Sequence, residues 1–241
     1  MLDDAPIVVA ALESDANRKT GRMLQTYIMR ADQSPLDAVR TGADASICGD
    51  CVHRGDGAGK ERTCYVTLMH GPRAVHDGIA RGIYAEPRDQ MNAARDMGKG
   101  RMVRMGTYGD PAAAPLWVWY ALTQDALGWT GYTHQWRSVR VQGLRDICMA
   151  SVDTEREARE AQALGWRTFR VTTANDAPMA GEVLCPASAE AGRKLTCKQC
   201  RACSGAATSR RGSIYIPAHG SGASARNVAS MQARIIARSA S

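Results

Sequence analysis

The chain has 241 residues, 44% of them hydrophobic and 23% charged, with 31 Lys and Arg against 24 Asp and Glu and a formal net charge of +7. That is the ordinary globular range for one large domain, or one domain with a small appendage. No apolar run approaches the roughly 20 residues that cross a bilayer, so no membrane-spanning helix is expected.

Residues 1–22 read as a loosely ordered N-terminal arm. It starts MLDDAPIVVAALESD, acidic and without the basic segment of a signal peptide, so a cytoplasmic protein is expected. Met23–Arg30 alternates as a strand, and Ser34-Pro35 starts a short helix over Pro35–Arg40. Thr41–Arg62 reads as a loop, Cys64–Met69 as a strand, and Pro72–Arg81 as a helix stopped by Gly82. Met102–Thr107 is a strand, followed by the turn Tyr108–Pro111 and a helix over Ala114–Ala126. Strands then follow at Trp129–His134 and Ile147–Val152, with a helix over Glu155–Leu164 capped by Asp153 or Thr154 and a strand at Thr168–Val171. Beyond it come a Cys-rich loop, a last strand Ser213–Ala218 and an amphipathic stretch Val228–Ala237.

Strands alternating with helices predict an α/β fold of parallel βα units, either an open sheet or an incomplete TIM-like barrel. Active groups then belong on loops at the carboxyl ends of the strands. The expected organisation is an arm (1–22), a βα core (23–174), a Cys-rich region (175–220) and a basic Ser/Ala/Arg tail (221–241). Arg226, Arg234 and Arg238 in that tail, with the net charge, make nucleic acid a candidate partner; a solvated terminal helix is the plainer reading.

The eight cysteines carry most of the chemical information. In a reducing compartment, clustered thiols more often bind metal or do redox chemistry than form disulfides. Cys185-Pro186 is followed by Cys197, Cys200 and Cys203 in a C-x2-C-x2-C run. Three thiolates at that pitch wrap corners of a 4Fe-4S cluster with a more distant cysteine completing the set; a zinc site, which needs only pairs, is the alternative. Cys48, Cys51 and Cys64 form a C-x2-C-x12-C group. Its fourth position is either open or closed by His53, His70 or Cys148, and Cys3His zinc ligation through His53 fits it too. Cys148, inside an apolar strand, reads as an inert buried thiol.

Other candidates sit at strand ends. Gly109 and Asp110 follow a strand, where glycine admits close backbone approach and a carboxylate can hold an amine or hydroxyl. Thr133 and His134 end another strand, His134 serving as acid, base or ligand, or simply as a structural histidine. Ser151 and Asp153 end a third, with Asp153 also a candidate cap. A His-x-His pair is absent from the chain, which argues against a rolling-circle nuclease.

Cys64-Tyr65, Gly109-Asp110, Tyr132-Thr133 with Trp136, Ser151-Val152-Asp153, Cys185-Pro186, Cys197 to Cys203 and His219 together resemble an uncharacterised family of phage and prophage proteins called gene product 88-like. More distantly, the open three-cysteine group, the Gly109-Asp110-Pro111 turn and the strand ends at Thr133-His134 and Ser151–Asp153 resemble the radical SAM superfamily. There the usual cysteine spacing is C-x3-C-x2-C. That resemblance implies an iron–sulfur enzyme whose open cluster, on Cys48, Cys51 and Cys64, binds S-adenosylmethionine held by Asp110, Ser151 and Asp153. The four C-terminal cysteines resemble an auxiliary cluster. The rival expectation is a non-catalytic zinc or iron–sulfur protein that binds nucleic acid.

Overall fold

The computed structural model describes residues 2–14, 19–55, 61–173, 176–206, 212–218 and 222–238. His219 and the side chains of Arg226, Arg234 and Arg238 lie outside what is described. In chain order the regular elements are β1 (Ile7–Ser14), β2 (Met23–Arg30), α1 (Pro35–Thr41), α2 (Ala45–Cys48), α3 (Gly71–Ala80) and α4 (Gln90–Gly98). They continue with β3 (Met102–Tyr108), α5 (Leu116–Gln124), β4 (Gly128–Thr130), β5 (Tyr132–Thr133), β6 (Met149–Val152) and α6 (Glu155–Ala163). The last are β7 (Thr168–Thr172), β8 (Glu182–Leu184), α7 (Cys197–Cys200), β9 (Ser213–Pro217) and α8 (Gly222–Arg238).

The fold is α/β, as the alternation predicts. Four strands form a mixed sheet in the order β1-β2-β3-β4, and five form a parallel sheet in the order β5-β6-β7-β9-β8. The described strands form no closed barrel, so the open alternative holds. Among the described strands, only β1 runs antiparallel to its neighbour. Its pairing along all of β2 corrects the expectation of a loose arm at residues 1–22: IVVAALES is apolar enough to cover one edge of the sheet.

The single strand expected over Trp129–His134 is two strands in two sheets. Gly131 separates them, donating its N–H to the Cys203 carbonyl and accepting from Met149 N–H. A side chain there would collide with Met105 Cε and Cys148 Sγ, at 2.4 and 2.7 Å. The strand expected at Cys64–Met69 is irregular, because Thr63 and Cys64 both give their N–H groups to the His53 carbonyl. Helix α4, which periodicity did not indicate, is capped by Asp89 accepting from Asn92 N–H. Its last residue, Gly98, lies so close to α5 that a Cβ would strike the Leu122 carbonyl.

A large apolar cluster joins β2, β3, α5 and the Trp136 and Trp166 rings; a smaller one gathers Met149, Ile214 and Ile216 with Cys185 and Cys203. The Cys-rich region is therefore packed into the second sheet. Among the described residues no helix is long and apolar enough to cross a membrane.

Gly109, where β3 turns toward the site, has φ +80°, and a Cβ would stand 2.7 Å from the Ile28 carbonyl oxygen. Gly109→Ala is expected to cost about 2–5 kcal/mol from left-handed backbone strain and overpacking, read by urea unfolding.

Candidate metal centre

The N-terminal cysteine loop is built by short local devices. One turn of α2 ends at Cys48, whose carbonyl accepts from Gln135 Nε2 at 3.1 Å. Arg54 ties the loop together, donating to the carbonyls of Gly49 and Gly42 and to Asp44 Oδ1 at 2.7 Å. The twelve residues between Cys51 and Cys64 are bridged at the base by the His53 carbonyl, so Cys64 is brought back to Cys51. Burial pushes the Cys48 thiol well up, and its neighbours Cys51 and Cys64 push it further.

The C-terminal group is positioned by a capping box. Thr196 and Gln199 exchange side-chain and backbone hydrogen bonds around α7, which sets Cys197 and Cys200 on one helical face. Arg201, in the left-handed region at φ 53°, ends the turn and leads to Cys203. Arg167 donates to the carbonyls of Ala202, Gly205 and Gly212 and so pins this loop to β7. Cys185 N–H donates to the Tyr215 carbonyl at the end of β8, and the Lys19 carbonyl accepts from Cys197 N–H. Burial pushes the Cys203 thiol up to about 12, with Cys185, Cys197 and Cys200 adding to the rise. All eight cysteines are free.

Both groups line one cavity of about 330 Å³. All seven cysteines singled out from the sequence face it, as do Gly109, Asp110, His134 and Ser151. Thr133 and Asp153, 0% and 3% exposed, are buried behind the wall. Thr133 Oγ1 accepts from Gln135 N–H and so holds the strand end. Asp110 is engaged on both oxygens: Oδ1 accepts from Ala112 N–H at 2.9 Å and Oδ2 from His134 N–H at 2.8 Å. Burial raises its carboxyl against these bonds, and its evident work is to fix the loop that carries His134. Cys148 is fully buried in the core.

Asp153 stands between two imidazoles, with Oδ1 2.9 Å from His53 Nε2 and Oδ2 3.7 Å from His134 Nε2. Burial opposes its charge, but the two histidines win and hold its carboxyl far below the usual range. Burial likewise opposes charging His134, yet Cys51 and Asp153 beside it raise it well above an ordinary histidine.

Sequence reasoning missed Arg104, Tyr108 and Thr130. Their Nε, hydroxyl and Oγ1 atoms, together with His134 Nε2, are buried without hydrogen-bond partners among the described residues, and all four residues line the cavity. An unpaired buried polar atom costs about 1–3 kcal/mol, so four in one wall indicate a wall shaped for a bound group. A charged residue inside the apolar run MVRMGT was the signal available for Arg104; none marked Thr130. The donor set and these unpaired atoms would suit a metal and a polar ligand. Compared with known proteins, the chain matches no protein-family model, no curated protein and no solved structure.

Proposed function

We propose that this chain is a phage-type iron–sulfur enzyme resembling the radical SAM superfamily. The observation that carries the reading is the convergence of two thiol groups, far apart in sequence, on one cavity at the carboxyl ends of parallel strands. Cys48, Cys51 and Cys64 would hold a cluster with an open iron, and Cys185, Cys197, Cys200 and Cys203 a second cluster.

Spacing of the thiols supports iron–sulfur over zinc. Among the described residues, the set of three metal-binding donors all within 4.8 Å of one another is His53, His134 and Asp153, with no sulfur in it. The C-x2-C-x2-C run of Cys197, Cys200 and Cys203 suits the corners of a four-iron cluster, whereas a zinc site needs only pairs. When bound, a four-iron cluster and S-adenosylmethionine supply a one-electron route to hydrogen abstraction. The chain's own part is to position and to exclude water. Gly106 and Gly109 give the β3 turn its left-handed backbone and close packing, Asp110 fixes the backbone of His134, and Ser151 lines the wall. Phe169, Val171 and Ile216 form an apolar section of that wall.

Protein purified without oxygen is expected to carry iron and acid-labile sulfide near about eight per chain, the content of two four-iron clusters. S-adenosylmethionine should shift the electron paramagnetic resonance signal of the reduced protein, and Cys64→Ala should abolish its reductive cleavage. Stoichiometric zinc without sulfide would overturn this reading in favour of a nucleic-acid-binding module. The net charge of +7 then predicts a steep fall of DNA affinity with salt.

A further inference from the structure

We infer that His53, His134 and Asp153 form a mononuclear site for a divalent metal such as Mn²⁺ or Fe²⁺, beside the N-terminal cysteine group and using none of its thiols. Two imidazoles and one carboxylate are a donor set suited to such ions, which favour nitrogen and oxygen over thiolate. The three donor atoms lie within 4.8 Å of one another. Ligands at right angles around an ion, with bonds of about 2.1 Å, stand roughly 3 Å apart. His53 Nε2 and Asp153 Oδ1 are at 2.9 Å, and His134 Nε2 is at 3.7 Å from Asp153 Oδ2.

The surrounding contacts hold the donor side chains in place. Thr63 Oγ1 lies 2.8 Å from His53 Nδ1, and the Thr63 hydroxyl donates to Met231 Sδ at 3.3 Å. The Thr63 contact holds the His53 ring with Nε2 toward the Asp153 carboxylate. A ligand histidine whose other nitrogen is held by a polar group is the usual arrangement around protein-bound metals.

The third donor is also prepared. His134 Nε2 is buried and, among the described residues, has no hydrogen-bond partner, while its backbone N–H is held by Asp110. Asp153 is clamped through its main chain: its N–H donates to Glu157 Oε2 at 2.9 Å and its carbonyl accepts from Gln232 Nε2 at 2.7 Å. Those bonds fix the carboxylate without consuming its oxygens. The side chains of His53, His134 and Asp153 are 12%, 21% and 2% exposed, so the site is sheltered. Both histidines line the cavity, and a ligand there has access to the ion.

Mn²⁺ is the probe, because it avoids thiolates and gives a strong resonance signal when free. Titrating the full chain with Mn²⁺ should remove one equivalent of the free-ion signal. The Cys64→Ala variant should bind equally well, which separates this site from the iron–sulfur reading. Asp153→Asn and His53→Gln should each weaken binding at least tenfold with sulfide content unchanged, and Thr63→Val about tenfold or more. Circular dichroism checks that each variant folds; should Asp153→Asn fail, His53→Gln decides. Absence of Mn²⁺ uptake by the wild type, or unchanged uptake in the folded histidine variant, would reduce the trio to a hydrogen-bonded network and overturn the proposal.

Discussion

Replacing Glu182 with alanine is expected to cost about 3–5 kcal/mol of folding stability, a large fraction of the roughly 5–15 kcal/mol that a protein possesses. Arg170 on β7 and Glu182 on β8 form a two-pronged ion pair at 2.8 and 2.6 Å, with side chains 2% and 0% exposed. The guanidinium also donates to the Ala177 carbonyl, and the carboxylate accepts from Met179 N–H. Removing the carboxylate strands a buried positive charge that cannot reach water, and that penalty exceeds the net worth of the pair. The double variant Arg170→Met with Glu182→Met should therefore be less damaging than Glu182→Ala alone. Urea denaturation of the three proteins would check this, and equal losses would show that the pair does not bury its charge. The effect bears on function because β8 leads directly into Cys185.

On the proposed two-cluster reading, substituting one cysteine of either group should remove about half of the iron, not all of it. Each perturbed thiol is influenced by members of its own group: Cys48 by Cys51 and Cys64, and Cys203 by Cys185, Cys197 and Cys200. The groups are also anchored separately, one through Arg54 and Asp44, the other through Arg167 and the Thr196 capping box. Cys64→Ala and Cys200→Ala should thus each leave the other centre intact, while Cys148→Ala, in the core, leaves iron content unchanged. Iron and sulfide analysis of the three variants decides it. Complete loss in both single-group variants would mean that the seven thiols serve one centre.

Much of the architecture was legible in local patterns. Ser34-Pro35 marks the start of α1 and Thr154 that of α6, because a cap acts through the few residues beside it. The cysteine spacing likewise announces two thiol groups, since a helical turn brings residues three apart together. Where strands were misread, a distant partner decided the outcome. The edge strand β1 exists by pairing with β2, and the Trp129–His134 run breaks because Met105, Cys148 and Cys203 crowd Gly131. Asp110 reads as a ligand-binding carboxylate from its turn, and the fold adds that each of its oxygens accepts one backbone N–H.

By itself, then, the sequence determined the βα alternation and the grouping of thiols, because periodicity, capping and short spacing act over a few residues. The tertiary structure alone decided that the two thiol groups share one cavity and that His53 meets Asp153 across 100 positions of chain. Such meetings depend on the order in which strands pack, and that order is set by the burial of whole faces, which no local motif encodes.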